Sequence, residues 1–492
     1  MNLRIKSLDD ILATAEKKTL HRTLGPFQLT MLGVGAIIGT GIFVLTAEAT
    51  QLAGPGMMVS FVLAGFVCAV CALCYAELAS MVPVSGSAYT YSYAVMGELV
   101  AWIVGWALIL EYAVAASAVS VGWSNYFVGV IDRAFGWHIP RELAKGYFAG
   151  GFINLPAVVI GGLVTWLLYI GTRESAWVNT TLVVIKIVAL TAFCFLAIPV
   201  IHMENFHPFA PLGALGMGGA AASIFFAYVG FDAVSTAAEE TKNPQRNVPI
   251  GLIGSLVICT VFYLLVAAGA IGSVGAQPVV IDGVGLTPGS AEFVQTCKQA
   301  AYANTLACSD EPLAHVLAVI GWTKMASVIG LAAFLALPSV ILMMLFGQTR
   351  IFFVMSRDGL LPGVLSKVHP KYKTPHVVTV ITGLFVVAAA AFFPVGELAN
   401  ISNSGTLLAF AMVAIVVMML RIRDPGRRRS FRTPWIWVVG PLAVIGCVLL
   451  FVLLTGAAKM VFIVWATAGL VAYYVYGFRH SHHARDEAAA GR

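Results

Sequence analysis

Long apolar runs separated by short polar stretches fill this chain almost from end to end. A bilayer crossing takes about 20 mostly apolar residues, and twelve segments qualify: 27–53, 57–82, 98–130, 153–171, 176–200, 214–238, 249–274, 323–347, 376–394, 400–420, 434–456 and 459–478. Numbered in chain order as segments 1 to 12, they predict a polytopic membrane protein whose termini share one side.

Two of these segments break the pattern. Segment 1 contains Gly33-Val-Gly-Ala-Ile-Ile-Gly-Thr-Gly-Ile-Phe43, with glycine at 33, 35, 39 and 41. A helix in lipid must satisfy its own backbone hydrogen bonds, so this much glycine at mid-membrane depth is tolerable only where freed N–H and C=O groups face protein or a ligand. Segment 6 carries Gly230 beside Asp232 and then runs into the polar stretch 239–249. Glycine-interrupted segments at corresponding places in two halves point to a transporter built from inverted repeats. Five segments per repeat, an odd number, set the repeats in opposite orientations, so that the two breaks can meet near the midplane. The alternative is that the glycines serve only close helix packing.

The expected fold is therefore all-α, with twelve transmembrane helices: two five-helix inverted repeats with broken helices 1 and 6, then two C-terminal helices. The boundaries read 1–26 for an N-terminal segment, 27–200 for the first repeat and 214–420 for the second, which includes the loop 275–322. The last pair occupies 434–478 and a tail 479–492.

Composition agrees. Of 492 residues 59% are hydrophobic and 11% charged, and the mean hydropathy of +0.89 is far above that of a soluble domain. Charge then orients the bundle: 22 of the 29 Lys and Arg fall on the side of the termini. Five (Arg133, Arg141, Lys145, Lys298 and Lys459) fall on the other, with Lys186 inside a segment and Lys324 at the end of one. Both termini are expected to be cytoplasmic, in the cytoplasmic (inner) membrane. The net charge of +6 and the run Arg427-Arg-Arg429 read as topology and lipid-surface signals, not as nucleic-acid binding. Segment 1 outruns a signal-peptide core and lacks a small-residue cleavage site.

Several motifs carry little. Cys68-x-x-Cys71-x-x-Cys74 has an iron–sulfur spacing but lies in an apolar helix with no adjacent fourth ligand, where cysteine is a small apolar residue. Gly33-x-Gly35-x-x-x-Gly39 misses the dinucleotide fingerprint and follows no strand. No Gly-Lys-Ser/Thr phosphate loop exists, so the chain does not itself harness ATP. His480, His482 and His483 read as a solvated tail. No cofactor, metal or catalytic group is expected.

Four stretches resemble signatures of the amino acid–polyamine–organocation superfamily of transporters: Gly35-Ala-Ile-Ile-Gly-Thr-Gly-Ile-Phe43, Pro83-Val-Ser-Gly-Ser-Ala-Tyr89, Phe231-Asp-Ala-Val-Ser-Thr-Ala-Ala-Glu-Glu240 with Asn243-Pro-Gln-Arg246, and Ser356-Arg-Asp-Gly-Leu-Leu-Pro362. Within it the chain most resembles the bacterial members of the cationic amino acid transporter family, from Leu24 to Tyr476. The stretch between Gln277 and Pro312 is longer than such relatives carry.

That resemblance implies a site that matches the chemistry of an amino acid. Its carboxylate and ammonium each cost several kcal/mol if left unpaired in a bilayer core. The amides of Thr40 and Gly41, where segment 1 restarts after Gly39, would offer donors and a positive dipole end to the carboxylate. By resemblance, the carbonyls of Ile37, Phe226, Ala227 and Val229, released beside Gly230, would accept from the ammonium. Met344 in segment 8 stands where a smaller residue accompanies long cationic substrates, so it either shortens the pocket or merely packs. Phe226, Ala115 and Ser117 are further wall candidates.

Lys186 is the most telling intramembrane charge. It lies about ten residues into segment 5, roughly 15 Å deep at 1.5 Å per residue, too deep to snorkel easily. Desolvation there readies an amine to exchange a proton, and by resemblance it occupies the place of a sodium ion in sodium-coupled relatives. The alternative is a structural cation held by segment 1 carbonyls. Glu111 is the expected acidic partner or second proton site, against a purely structural hydrogen bond. Asp232 reads as a helix-tethering acid.

The expected function is proton-coupled uptake of small to medium neutral L-amino acids by alternating access, segments 1, 2, 6 and 7 rocking against the rest. A cationic amino acid or polyamine exchanger is the alternative, and a membrane amino-acid sensor a remote one. The implied partners are the L-amino acid, protons and membrane lipid. A monomer is expected, with a small accessory membrane protein left open. Finally, Cys297 and Cys308 are the two cysteines outside the segments, and an extracytoplasmic compartment would favour a disulfide between them.

Overall fold

The structure, a computed structural model, describes residues 24–82, 87–171, 176–237, 241–281, 284–288, 290–302 and 304–481. Residues 83–86 of the second signature, Glu239, Glu240, His482 and His483, with most of both terminal segments, lie outside the described residues.

Every expected segment carries helix. Among the described residues eight stretches are long and apolar enough to cross a membrane: Leu45–Met81, Glu98–Phe135, Val178–Val200, Pro244–Val274, Thr323–Arg357, Val395–Arg423, Ile436–Leu453 and Gly456–His480. Four shorter apolar helices, Pro26–Ile37, Leu155–Tyr169, Gly213–Tyr228 and His376–Phe392, supply the remainder. Large apolar side chains left exposed on the periphery, such as Val159, Leu163 and Trp166 in segment 4 and Ile445, Leu449 and Val452 in segment 11, form a surface that suits lipid and not water. The protein is a multi-pass membrane protein.

Several helices outrun their apolar cores. Segment 3 extends as Glu98–Phe135, 38 residues, about 57 Å at 1.5 Å per residue, and segment 8 continues to Arg357. Segment 7 starts at Pro244, not 249, because Pro244 fits the first helical turn, where a missing N–H costs nothing. A further helix, Ser87–Met96, lies in the connection between segments 2 and 3. Segment 3 is the most enclosed: 78% of its apolar window is buried, against 17% for segment 12.

The loop after segment 7 is a small structured unit. It holds an antiparallel hairpin, Val280–Ile281 with Val284–Gly285, the helix Ala291–Cys297, and a core of Val279, Phe293 and Ala307. Cys297 and Cys308 are disulfide-bonded with Cα atoms 5.5 Å apart.

Candidate functional site

Segment 1 begins with Pro26 in its first turn, while the Gln28 side chain accepts from the Gly25 amide at 3.1 Å. The helix ends at Ile37, Ile38 is extended (φ −72°, ψ 97°), and after Gly39 (φ −149°, ψ −146°) helix resumes at Thr40. Segment 6 runs as Gly213–Ile224, tightens to a 3-10 turn over Phe225–Tyr228, extends at Val229 and turns at Gly230. Gly230 has φ +115°, a conformation that suits glycine alone.

The two breaks interlock. A Cβ on Gly41 would run into the backbone of Ala227, and one on Gly230 would sit 3.0 Å from the Ala36 carbonyl oxygen. Glycine at these positions lets one broken backbone reach the other. Gly33 and Gly35 do something different: they admit Ser255 of segment 7 and Val183 of segment 5, so close packing accounts for them. A Cβ on Gly39 would meet Val340 of segment 8 at 3.5 Å, ordinary contact.

Donors collect at the restart of segment 1. Among the described residues no acceptor takes the amides of Thr40, Gly41 or Ile42; the first intrahelical bond there is Phe43 N–H to the Gly39 carbonyl, 3.3 Å. The Thr40 hydroxyl is buried without a hydrogen-bond partner, its side chain packed on Gly122 of segment 3. A native fold rarely orphans buried polar groups, so these donors point to a ligand.

Carbonyl acceptors lie at the same two breaks. The Tyr263 hydroxyl of segment 7 lies 3.0 Å from the Ile37 carbonyl oxygen and 2.7 Å from that of Ala227. One phenol has one proton, and each carbonyl has two lone pairs, so accepting capacity remains for an ammonium. Phe226 O takes the Val229 amide at 3.2 Å. Phe226 and Met344 are both buried, at 6% and 3% exposure, and Met344 lies one turn beyond Val340, which packs on Gly39.

The ionisable groups around the breaks are fully buried. Lys186 Nζ donates to the Gly35 carbonyl at 2.8 Å, one and a half turns before Thr40. Tyr112 of segment 3 donates to Asp232 Oδ2 at 2.8 Å and so ties segment 3 to the second break. Glu111 and Lys186 do not pair directly: both carboxylate oxygens of Glu111 lack hydrogen-bond partners among the described residues. Its backbone carbonyl accepts from Ser402 at 3.1 Å, and its Cβ backs onto Gly405 of segment 10.

Two interrupted helices thus interlock beside unpaired amide donors, and comparison with known proteins supplies the family. The sequence profile of the amino acid permeases matches residues 24–478. The chain belongs to the amino acid permease family. It is 45% identical over 483 residues to a branched-chain amino acid permease of Bacillus subtilis (strain 168), covering 97% of this chain and 98% of that one. A methylthioribose transporter of the same organism is 40% identical over 97% of this chain and 98% of its own length. The chloroplastic cationic amino acid transporter 9 of Arabidopsis thaliana is 35% identical over 87% of this chain and 72% of its own. These relatives are transporters, not enzymes.

Sequence reading missed several parts of this permease's site. Tyr263 gave no signal, because a tyrosine in an apolar segment reads as packing until its hydroxyl is placed between two carbonyls. Tyr126 of segment 3 likewise donates to Phe43 O at 2.7 Å and steadies the restarted helix. Glu48, an acid inside segment 1, acquires its partners only from segments 6 and 10, through Ser223 and Asn400. The cysteine run is packing in form: Cys68, Cys71 and Cys74 are buried, with Cys71 Sγ 3.6 Å from Cys447 Sγ of segment 11.

Proposed function

We propose that this permease is a secondary active transporter that takes neutral L-amino acids, alanine-sized to branched-chain, into the cell together with protons. The observation that carries the reading is the interlocked pair of breaks, with the amides of Thr40, Gly41 and Ile42 and the Thr40 hydroxyl unpaired, and with the carbonyls of Ile37 and Ala227 sharing one tyrosine hydroxyl. An α-carboxylate binds the restarted helix through those amides. The α-ammonium binds the carbonyls, and Phe226, Val340 and Met344 bound the side chain. The site then needs no ionic side chain, and the methionine at 344 favours short apolar substrates; the name of the branched-chain relative supports the same class.

Lys186, bonded to Gly35 just before the first break, is the group through which proton binding biases segment 1. Glu111, a fully buried carboxyl beside the Thr406 hydroxyl, is the second proton site. The twelve segments work as two inverted five-helix repeats, 27–200 and 214–420, with 434–478 appended and both termini in the cytoplasm. Segments 1, 2, 6 and 7 rock against the others, so the site opens to one side at a time.

Counterflow in proteoliposomes tests this. Liposomes preloaded with L-leucine or L-alanine should accumulate labelled L-leucine, and an inward proton gradient should accelerate net uptake. Unlabelled L-arginine and methylthioribose should compete poorly. Exchange of arginine with leucine and alanine inert would establish a cationic exchanger instead. Specific binding with no movement of any amino acid would leave a sensor.

A further inference from the structure

The outer half of segment 1, Leu45–Ala53, carries one acid, Glu48, and that acid joins three segments. Its Oε1 accepts from the Ser223 hydroxyl of segment 6 at 2.8 Å and from the Asn400 side-chain amide of segment 10 at 3.2 Å. Asn400 also reaches Ser223 Oγ at 3.3 Å and donates to the Gly396 carbonyl at 2.8 Å. One turn on, Asn403 donates to the carbonyls of Ala222 and Ser223 at 2.8 and 3.0 Å. Gly396 is the residue that admits the acid: any Cβ there would overlap the Glu48 carboxylate. Glu397 is the other ionisable group near it.

The placement matters more than the bonds taken singly. Segments 1 and 6 touch backbone to backbone at Gly41–Ala227 and Gly230–Ala36, and the rocking reading above carries them as one body. Segment 10 is outside that body, and the Glu48–Asn400 and Asn403–segment 6 bonds cross between the two. They lie two turns from Thr40, towards the side that carries the 275–322 loop. We propose that Glu48 is a positioning residue of the outer gate: it latches the restarted half of segment 1 to segment 10, and its release opens the substrate site to the outside. This rests on the alternating-access reading and orientation above. The function follows from hydrogen-bond acceptance by Oε1, so a glutamine at 48 can perform it and an alanine cannot.

The test uses full-length protein in intact cells with Thr40→Cys as reporter, alkylated by a membrane-impermeant maleimide and corrected for labelling of the otherwise unmodified protein. Thr40 is 1% exposed, so labelling should be slow with Glu48 present. Glu48→Ala should raise it at least fivefold, and Asn400→Ala, which cuts the same latch from the other end, should do the same. Glu48→Gln should stay within twofold of the Glu48 protein. Labelling unchanged in both alanine variants, or Glu48→Gln as open as Glu48→Ala, would overturn the latch. Should Glu48→Ala fail to reach the membrane, Asn400→Ala decides alone. Two controls separate this from the reading beneath it: Lys324→Cys, exposed on the loop side, reports orientation by its own labelling, and leucine counterflow reports transport independently of gate accessibility.

Discussion

Lys186 has two descriptions that predict different numbers. Its ammonium donates to the Gly35 carbonyl in a site with no exposure to solvent, and either proton exchange or simple cross-linking of segments 5 and 1 would explain it. Lys186→Ala should abolish the acceleration of uptake by an inward proton gradient while leucine-for-leucine counterflow persists. Gradient-driven uptake that survives the substitution would leave Lys186 as a structural cation. Met344 is tested by size: Met344→Ser removes most of a buried side chain and should let longer substrates compete, with L-arginine or L-lysine inhibition of leucine counterflow rising about tenfold, equivalent to about 1.4 kcal/mol. Tyr263→Phe deletes one hydroxyl shared by Ile37 and Ala227. Two buried carbonyls then lose a donor, and thermal unfolding should show a loss of about 1–3 kcal/mol. In the proposed binding mode leucine should restore part of it, its ammonium replacing the lost donor at the same carbonyls.

The interrupted helices show which glycines are structural in which way. Gly39 and Gly41 sit two residues apart, yet a Cβ on Gly39 meets Val340 at an ordinary 3.5 Å while one on Gly41 meets the Ala227 backbone. Gly41→Ala should therefore push the two breaks apart, at about 1–3 kcal/mol for overpacking, and stop transport. Gly39→Ala should fold with near-parental thermal stability, and equal losses for the two variants would contradict the interlock. This distinction was only half legible in the sequence. The glycine-rich run in segment 1 and Gly230 in segment 6 were readable, because lipid punishes unsatisfied backbone wherever it occurs. Which glycine faced which neighbour was not, since Gly33 against Ser255 and Gly41 against Ala227 are contacts between residues some 190–220 positions apart. Apolar length marks a crossing but not the helix ends, because amphipathic or proline-started turns continue beyond the apolar core, as at Pro244 and Arg357. Glu48 and Tyr263 escaped because a lone polar residue in an apolar segment acquires a role only from the helices packed on it.

At the scale of the whole molecule, the loop 275–322 is tied to segment 1 and to segment 3 at once. Gln51, near the C-terminal end of segment 1 and 1% exposed, donates to the carbonyls of Val279 and Leu286, both at 2.8 Å, and accepts from the Val279 amide at 2.7 Å. At the loop's other end Glu311 accepts from both terminal nitrogens of Arg133 in segment 3, at 3.1 and 2.7 Å, and Asp310 pairs with Lys145 at 2.6 Å. Between these anchors Cys297 and Cys308, eleven positions apart, are bonded. The Lys145–Asp310 pair, with Asp310 largely exposed, contributes little, so the stiffness of this connection comes from the covalent bridge, the small core of Val279, Phe293 and Ala307 and the two-pronged, largely buried Arg133–Glu311 pair. Closing so short a ring stabilises by about 3 kcal/mol in the chain-entropy picture. Replacing both cysteines with serine should therefore loosen the loop locally: amides of 291–308 should exchange with deuterium at least tenfold faster, while those of segments 3 and 8 keep their protection. Peptide mass spectrometry of protein purified without reductant should recover 297 and 308 on one linked peptide that separates on reduction. Free, alkylatable thiols at both positions, or unchanged exchange in the double serine variant, would show that the two anchors hold the loop without the bridge.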